Sequence, residues 1–110
     1  MLQEIEQLKK AAEYGDVWAQ CELGNMYEDG DGVPQDDVQA VEWFGKAAAQ
    51  GFPPAQYNLA LKYAQGIGIK QDDAQAYEWF RKAAEQGLSD AQCFLGLAYQ
   101  NGRGVSRNDV

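Results

Sequence analysis

The chain has 110 residues, which suits one small domain because a separate hydrophobic core usually needs about 100–200 residues. It has no histidine, no threonine, two serines and two cysteines, which excludes His-dependent catalytic triads and the zinc sites formed by His or by Cys alone. Its 17 acidic residues against 9 basic residues give a net charge of −8, which disfavours binding to nucleic acid or to an anionic membrane. We therefore expect a protein that is not an enzyme and that has no metal or cofactor.

The first predicted element, residues 1–15, has the pattern of the second helix of a two-helix unit whose first helix is missing. Its apolar residues recur at helical spacing: Leu2, Ile5, Leu8 and Ala12. Glu4 and Gln7 stand where later copies have Ala40 and Trp43. Because terminal units of a helical array need a polar outer face, residues 1–15 are predicted to be an N-terminal capping helix.

The rest of the chain repeats with a period of 36 residues. Between residues 16–51 and residues 52–87, 19 of 36 positions are identical. A period of this length is typical of solenoids and propellers. We divide the single repeat domain into residues 1–15, repeat 1 (16–51), repeat 2 (52–87) and a partial repeat 3 (88–110).

Each repeat is predicted to be two antiparallel helices, at about residues 17–28 and 37–50 in the first copy. The capping-box spacings Asp36–Gln39 and Asp72–Gln75 predict helix starts. Pro53-Pro54 suits the first turn of a helix, where no amide hydrogen is needed. Three glycines in step are predicted to follow helix ends with positive φ: Gly15, Gly51 and Gly87.

The motif A-Q-x-x-L-[G/A]-x-x-Y-x-x-G-x-G-[V/I], followed by D-D-x-x-A-x-x-W-F-x-K-A-A-x-Q-G, resembles the Sel-one-like (Sel1-like) repeat (SLR) family, which is related to tetratricopeptide repeats. The resemblance covers nearly the whole chain. It implies an all-α fold, a right-handed α-α superhelix or solenoid, that acts as a scaffold for protein partners without catalysis. The cysteine-rich branch of the family has paired cysteines where this chain has Ala48 and Gln56, so its disulfide ladder is not expected here.

The first helix of each repeat carries residues that differ between copies, and these residues are candidates for binding a ligand. By resemblance to tetratricopeptide repeats, this stripe is expected to line the concave face and to bind a protein or peptide. Alternatively, its residues are partly buried fillers or plain surface. The stripe consists of Trp18, Cys21, Asn25 and Glu28, then Tyr57, Leu61 and Ala64, then Cys93, Leu97 and Gln100.

Three other features that resemble functional sites are better explained by structural roles. Cys21 and Cys93 occupy equivalent registers two units apart, which predicts two free thiols. The segment 29–32 (DGDG) has acidic residues like a calcium loop, but Val33 and Pro34 do not fit an EF-hand. Trp43 and Trp79 recur at packing registers and are predicted to be core.

The C-terminal part suggests an alternative function. Residues 89–101 keep the apolar pattern of a first helix, so the chain is either part of a longer array or self-associates through this face. No segment has the length of a membrane span or the apolar run of a secretory signal. A cytoplasmic location is favoured for the chain as given, and a leader removed from a longer precursor stays open.

Overall fold

The computed structural model describes residues 2–89 and residue 91. These residues form five helices and no strand. The helices are α1 (Leu2–Glu13), α2 (Val17–Asp29), α3 (Asp37–Ala49), α4 (Pro53–Gln65) and α5 (Asp73–Glu85). Each helix packs mainly on its neighbours along the chain, and the molecule is elongated, measuring 53 × 24 × 17 Å. The fold is therefore an all-α repeat superhelix.

The helices begin at the predicted capping residues. The carboxylate of Asp36 accepts hydrogen bonds from the backbone amides of Val38 and Gln39, at 3.0 and 3.2 Å. Asp72 accepts one from the amide of Gln75 at 3.1 Å. Because these side chains satisfy amides that have no partner within the helix, they fix where α3 and α5 start.

The ends of α1, α3 and α5 are marked by the predicted glycines. Gly15, Gly51 and Gly87 have φ of 101°, 91° and 93°, where only glycine is free of strain.

The start of α4 has no side-chain cap, and Pro53 and Pro54 occupy its first turn. Proline at this position removes an amide that would otherwise need a partner.

The core is divided into three apolar clusters that follow one another along the array. One joins α1 to α2 through Ala12, Ala19 and Leu23. The second joins α2, α3 and α4, and it includes the fully buried ring of Phe44. The third joins α4 to α5 around Phe80. Because each cluster joins helices that follow one another along the chain, stability arises from contacts between neighbouring units.

Trp43 and Trp79 differ from their prediction as core residues. Both are half-buried at the edges of the clusters. The ammonium groups of Lys46 and Lys82 lie 4.6 and 4.4 Å from the centres of the two indole rings. A cation and an aromatic face attract each other, so each tryptophan covers the core with one surface and holds a lysine with the other.

Two buried glutamines connect successive units. The Nε2 group of Gln20 donates to the carbonyl of Ala12 in α1 at 2.9 Å, and its Oε1 accepts from Gln50 at 2.8 Å. The same bonds recur 36 residues later, where Gln56 donates to Ala48 at 3.3 Å and accepts from Gln86 at 2.8 Å. This glutamine relay ties each first helix both to the preceding unit and to its own second helix.

A buried ion pair joins α2 to α4. Lys62 is 4% exposed and stands where the first copy has Met26. Its ammonium pairs with the carboxylate of Glu28, which is 35% exposed. Because a buried charge is costly unless it is paired, Glu28 holds Lys62 inside the structure.

Candidate functional site

Three of the four stripe residues on α2 line one groove. Trp18 is 72% exposed, Asn25 is exposed, and Cys21 is buried in the wall. The groove has a volume of about 430 Å³. We call it the aromatic groove, and its lining residues are Trp18, Cys21, Glu22, Asn25, Met26, Asp29, Asp31, Phe52 and Pro54. Glu28 does not line it, because its carboxylate pairs with Lys62.

Two aromatic rings form one end of the aromatic groove. The rings of Trp18 and Phe52 have centroids 4.9 Å apart and planes at 64°, which is an edge-to-face arrangement. Phe52 directly precedes Pro53 and Pro54, whose fixed φ angles hold the start of α4 in place. The exposed indole therefore stands against a rigid neighbour.

A second groove adjoins the first on the side of α1. Its volume is about 450 Å³, and we call it the N-terminal groove. It shares Glu22, Met26 and Asp31 with the aromatic groove. Its other lining residues are Glu4, Ile5, Leu8 and Gly32. The two grooves form a continuous surface with apolar residues on the floor and carboxylates along the edge.

The thiol of Cys21 contributes shape and not reactivity. Burial raises the pKa of this thiol, a hydrogen bond with the Asn58 side chain lowers it, and the charge of Glu22 raises it further. The net effect is a raised pKa, so the thiol is protonated at neutral pH and is a poor nucleophile. Cys21 is not in a disulfide, as the sequence predicts.

The stripe residues of the second copy have different surroundings. Tyr57, Leu61 and Ala64 are half-buried against the third apolar cluster. The rings of Tyr57 and Phe80 are 5.8 Å apart at 63°, so Tyr57 is partly a packing residue. These three residues do not line the aromatic groove. The remaining stripe residues, Cys93, Leu97 and Gln100, lie outside the described residues, as does most of the segment 89–101.

Sequence reasoning missed the far wall and the rim of the aromatic groove. Phe52 and Pro54 belong to the next unit, so only three-dimensional stacking brings them beside Trp18. Glu22 and Asp29 were available as signals, because both lie on α2 and the equivalent residues, Asn58 and Gln65, are uncharged. Within the described residues, no group of acidic or cysteine side chains could hold a metal ion. No helix in the described part of the chain is long and apolar enough to cross a membrane.

Stacked helix pairs, a divided core and an open groove on a first helix define a helical-repeat solenoid. The Sel1 repeat family model matches residues 19–52, 53–88 and 89–110. The chain belongs to the Sel1 repeat family, whose members are generally non-catalytic scaffolds for protein interactions. No curated protein sequence is a significant match.

Three solved structures show the same architecture. A protective antigen present in uropathogenic Escherichia coli strains, with an SLR fold, matches 96% of this chain at 48% identity and a TM-score of 0.93. This chain spans only 22% of that antigen. A Sel1 repeat protein from Oxalobacter formigenes matches 94% of the chain at 40% identity and a TM-score of 0.86, and the match covers 78% of its own length. Cysteine rich protein B of Helicobacter pylori matches 86% of the chain at 29% identity and a TM-score of 0.81, with 71% of its own length covered.

Proposed function

We propose that this chain is a scaffold that binds a peptide segment of a partner protein in the aromatic groove. The observation that carries the proposal is the exposure of Trp18, a residue that is 72% exposed and whose ring lies beside that of Phe52. Tryptophan is enriched among the residues that dominate binding energy in protein interfaces, because it buries a large apolar area on contact.

The dimensions of the groove support a peptide segment. Its volume of about 430 Å³ lies within the range of about 300–1,000 Å³ that is usual for ligand sites. Its open shape and mixed lining suit a side chain that docks on the two rings while the peptide backbone continues along α2. Asn25 can donate and accept hydrogen bonds at the middle of that path.

The rigidity of the walls also supports the proposal. Leu23 and Gly24 anchor α2 in the core, and the prolines fix the start of α4. A site that is formed before its ligand arrives does not lose affinity to the ordering of loops. The proposal does not include the stripe residues of the second copy, because they pack against the third cluster.

The proposal is tested by the matched variants Trp18→Ala and Tyr14→Ala. Tyr14 is 91% exposed but does not line either groove, so it controls for the loss of an exposed aromatic ring. A random peptide library displayed on phage is selected on the immobilised chain, and the enriched peptides are measured by fluorescence anisotropy. We expect Trp18→Ala to weaken binding by at least about tenfold and Tyr14→Ala to leave it unchanged. Equal binding by both variants would contradict the proposal.

A further inference from the structure

The rim of the aromatic groove is acidic, and its carboxylates have no cationic partners among the residues that the structure describes. Glu22, Asp29 and Asp31 line the groove, and all three are exposed. No ion pair joins any of them to another residue in the described part of the chain, and no lysine or arginine of that part lines the groove. The aromatic groove therefore combines an apolar end with uncompensated negative charge.

Three carboxylates elsewhere in the described part of the chain do have cationic partners. On α5, Arg81 binds Glu78 at 2.8 Å and Glu85 at 2.9 Å. On α2, Glu28 pairs with Lys62. Other exposed carboxylates, such as Glu6, Glu13 and Glu42, also have no ion pair among the described residues. The groove carboxylates differ from these because they line one groove together with the apolar side chains of Trp18 and Phe52.

Two of the groove carboxylates are also in an unfavourable position. Asp29 is the last residue of α2, and Asp31 follows the helix cap Gly30. The C-terminal end of a helix carries partial negative charge, so carboxylates there are repelled and cations are favoured. The equivalent positions in the second copy are the uncharged Gln65 and Ile67, so the repeat does not require acids at this place. A cation bound at this end relieves the repulsion.

From this charge complementarity we infer that the occupant of the aromatic groove is a cationic peptide segment with an apolar anchor. This inference rests on the proposed function above. The anchor docks on Trp18 and Phe52, and lysine or arginine side chains lie against the carboxylates toward Asp29 and Asp31. Along α2, the path from Trp18 to Asp29 is about 16 Å at 1.5 Å per residue. An extended peptide covers that distance in about five residues, which sets the spacing between anchor and charge.

The adjoining N-terminal groove extends the same chemistry. It adds Glu4 to the shared Glu22 and Asp31, and it adds Ile5 and Leu8 to the apolar floor. A longer segment that crosses α2 therefore meets negative charge on both sides of Met26. Acidic segments are repelled by the same surface, so charge selects among apolar peptides that would otherwise fit alike.

The test compares two triple variants that have the same net charge. Glu22→Gln/Asp29→Asn/Asp31→Asn neutralises the rim. The control, Glu6→Gln/Glu13→Gln/Glu42→Gln, removes three exposed carboxylates that line neither groove. All six side chains are exposed, so the helical fold is retained, which circular dichroism checks. The same phage library is selected on the wild-type chain, both triple variants and Trp18→Ala.

The expected result is enrichment of peptides that carry lysine or arginine about three to five residues from an apolar anchor. The rim variant should lose the cationic preference and bind the enriched peptide about tenfold more weakly, whereas the control triple variant should bind like the wild type. Raising NaCl from about 0.05 M to about 0.5 M should weaken wild-type binding and leave the rim variant nearly unaffected.

The other outcomes separate the two proposals. Enriched peptides that depend on Trp18 but are neutral or acidic would overturn the cationic inference and leave the peptide-binding function intact. Equal behaviour of the two triple variants would do the same. If no peptide binds in a Trp18-dependent manner, the proposed function fails, and the inference about its partner fails with it.

Discussion

The two complete helical pairs, α2–α3 and α4–α5, share their buried contacts and differ on the exposed face of the first helix. Gln20 and Gln56 make the same bonds, and Phe44 and Phe80 occupy the same place in successive clusters. On the exposed face, by contrast, Trp18 stands where the second pair has Pro54. In this array the identical residues join units together, and the residues that vary are free to shape a surface.

Three differences between the pairs are not on the exposed surface of the first helix. They lie at the G-x-G turns or inside the structure. They concern what the two G-x-G turns touch, the residue pair Met26 and Lys62, and the glycine beneath Phe44. Each difference gives a prediction about stability, measured as the free energy of unfolding in urea by circular dichroism.

The largest effect is expected at the G-x-G turns. Gly68 has φ of 76°, and a Cβ there would lie 2.3 Å from the carbonyl oxygen of Asp37. Because that neighbour is backbone and cannot give way, Gly68→Ala should reduce stability by about 3 kcal/mol, from left-handed strain and steric overlap. At Gly32, with φ of 79°, the nearest atom is the flexible end of Ile5 at 2.9 Å, and we expect a loss of about 1–2 kcal/mol. Equal losses would show that the two turns do not differ in packing.

A smaller effect is expected at the buried ion pair. Glu28→Gln leaves the ammonium of Lys62 buried without a counter-charge and should cost about 2 kcal/mol. Lys62→Met introduces the residue that the first pair has at this register, and it should cost less than about 1 kcal/mol, since Glu28 can be hydrated. The double variant should recover most of the loss. If Lys62→Met lowers the free energy of unfolding as much as Glu28→Gln does, the attraction between the two charges stabilises the fold beyond offsetting the cost of burying the Lys62 ammonium.

The smallest effect is expected at Gly24. A Cβ at this position would lie 2.6 Å from two carbons of the Phe44 ring, whereas the second pair has Ala60 at the equivalent place. Gly24→Ala should therefore cost about 1 kcal/mol, because overlap with the ring exceeds the gain in helix propensity. Gly45→Ala is the matched control, since nothing lies within 4 Å of its Cβ, and it should stabilise α3 by about 0.5–1 kcal/mol. A stabilising Gly24→Ala would mean that the ring moves aside.

The helices could be predicted closely because their ends depend on local interactions. The predicted range 17–28 compares with Val17–Asp29, and the predicted range 37–50 with Asp37–Ala49. Caps act over two or three residues, so Asp36 and the glycines are visible in a single sequence. The Lys62–Glu28 pair was not visible, because 34 positions separate its members and only stacking brings them together.

The candidate site was predictable only in part. Helical spacing placed Trp18, Cys21 and Asn25 on one stripe, and all three line the aromatic groove. The same spacing could not reveal that Tyr57 packs against Phe80, because burial depends on the neighbouring helix. Peptide binding by the stripe stays a prediction.

The glutamine relay affects how such a chain can grow. The acceptors of Gln20 and Gln56 in the preceding units are main-chain carbonyls, of Ala12 and Ala48, which every residue type provides. A duplicated block of 36 residues therefore finds its partner in whatever unit precedes it, without any compensating substitution in that unit. The Lys62–Glu28 pair imposes the opposite condition, because each member is useful only beside the other. Lengthening the array by duplication thus preserves the glutamine hydrogen bonds between units. An ion pair between units forms only where both of its residues are present.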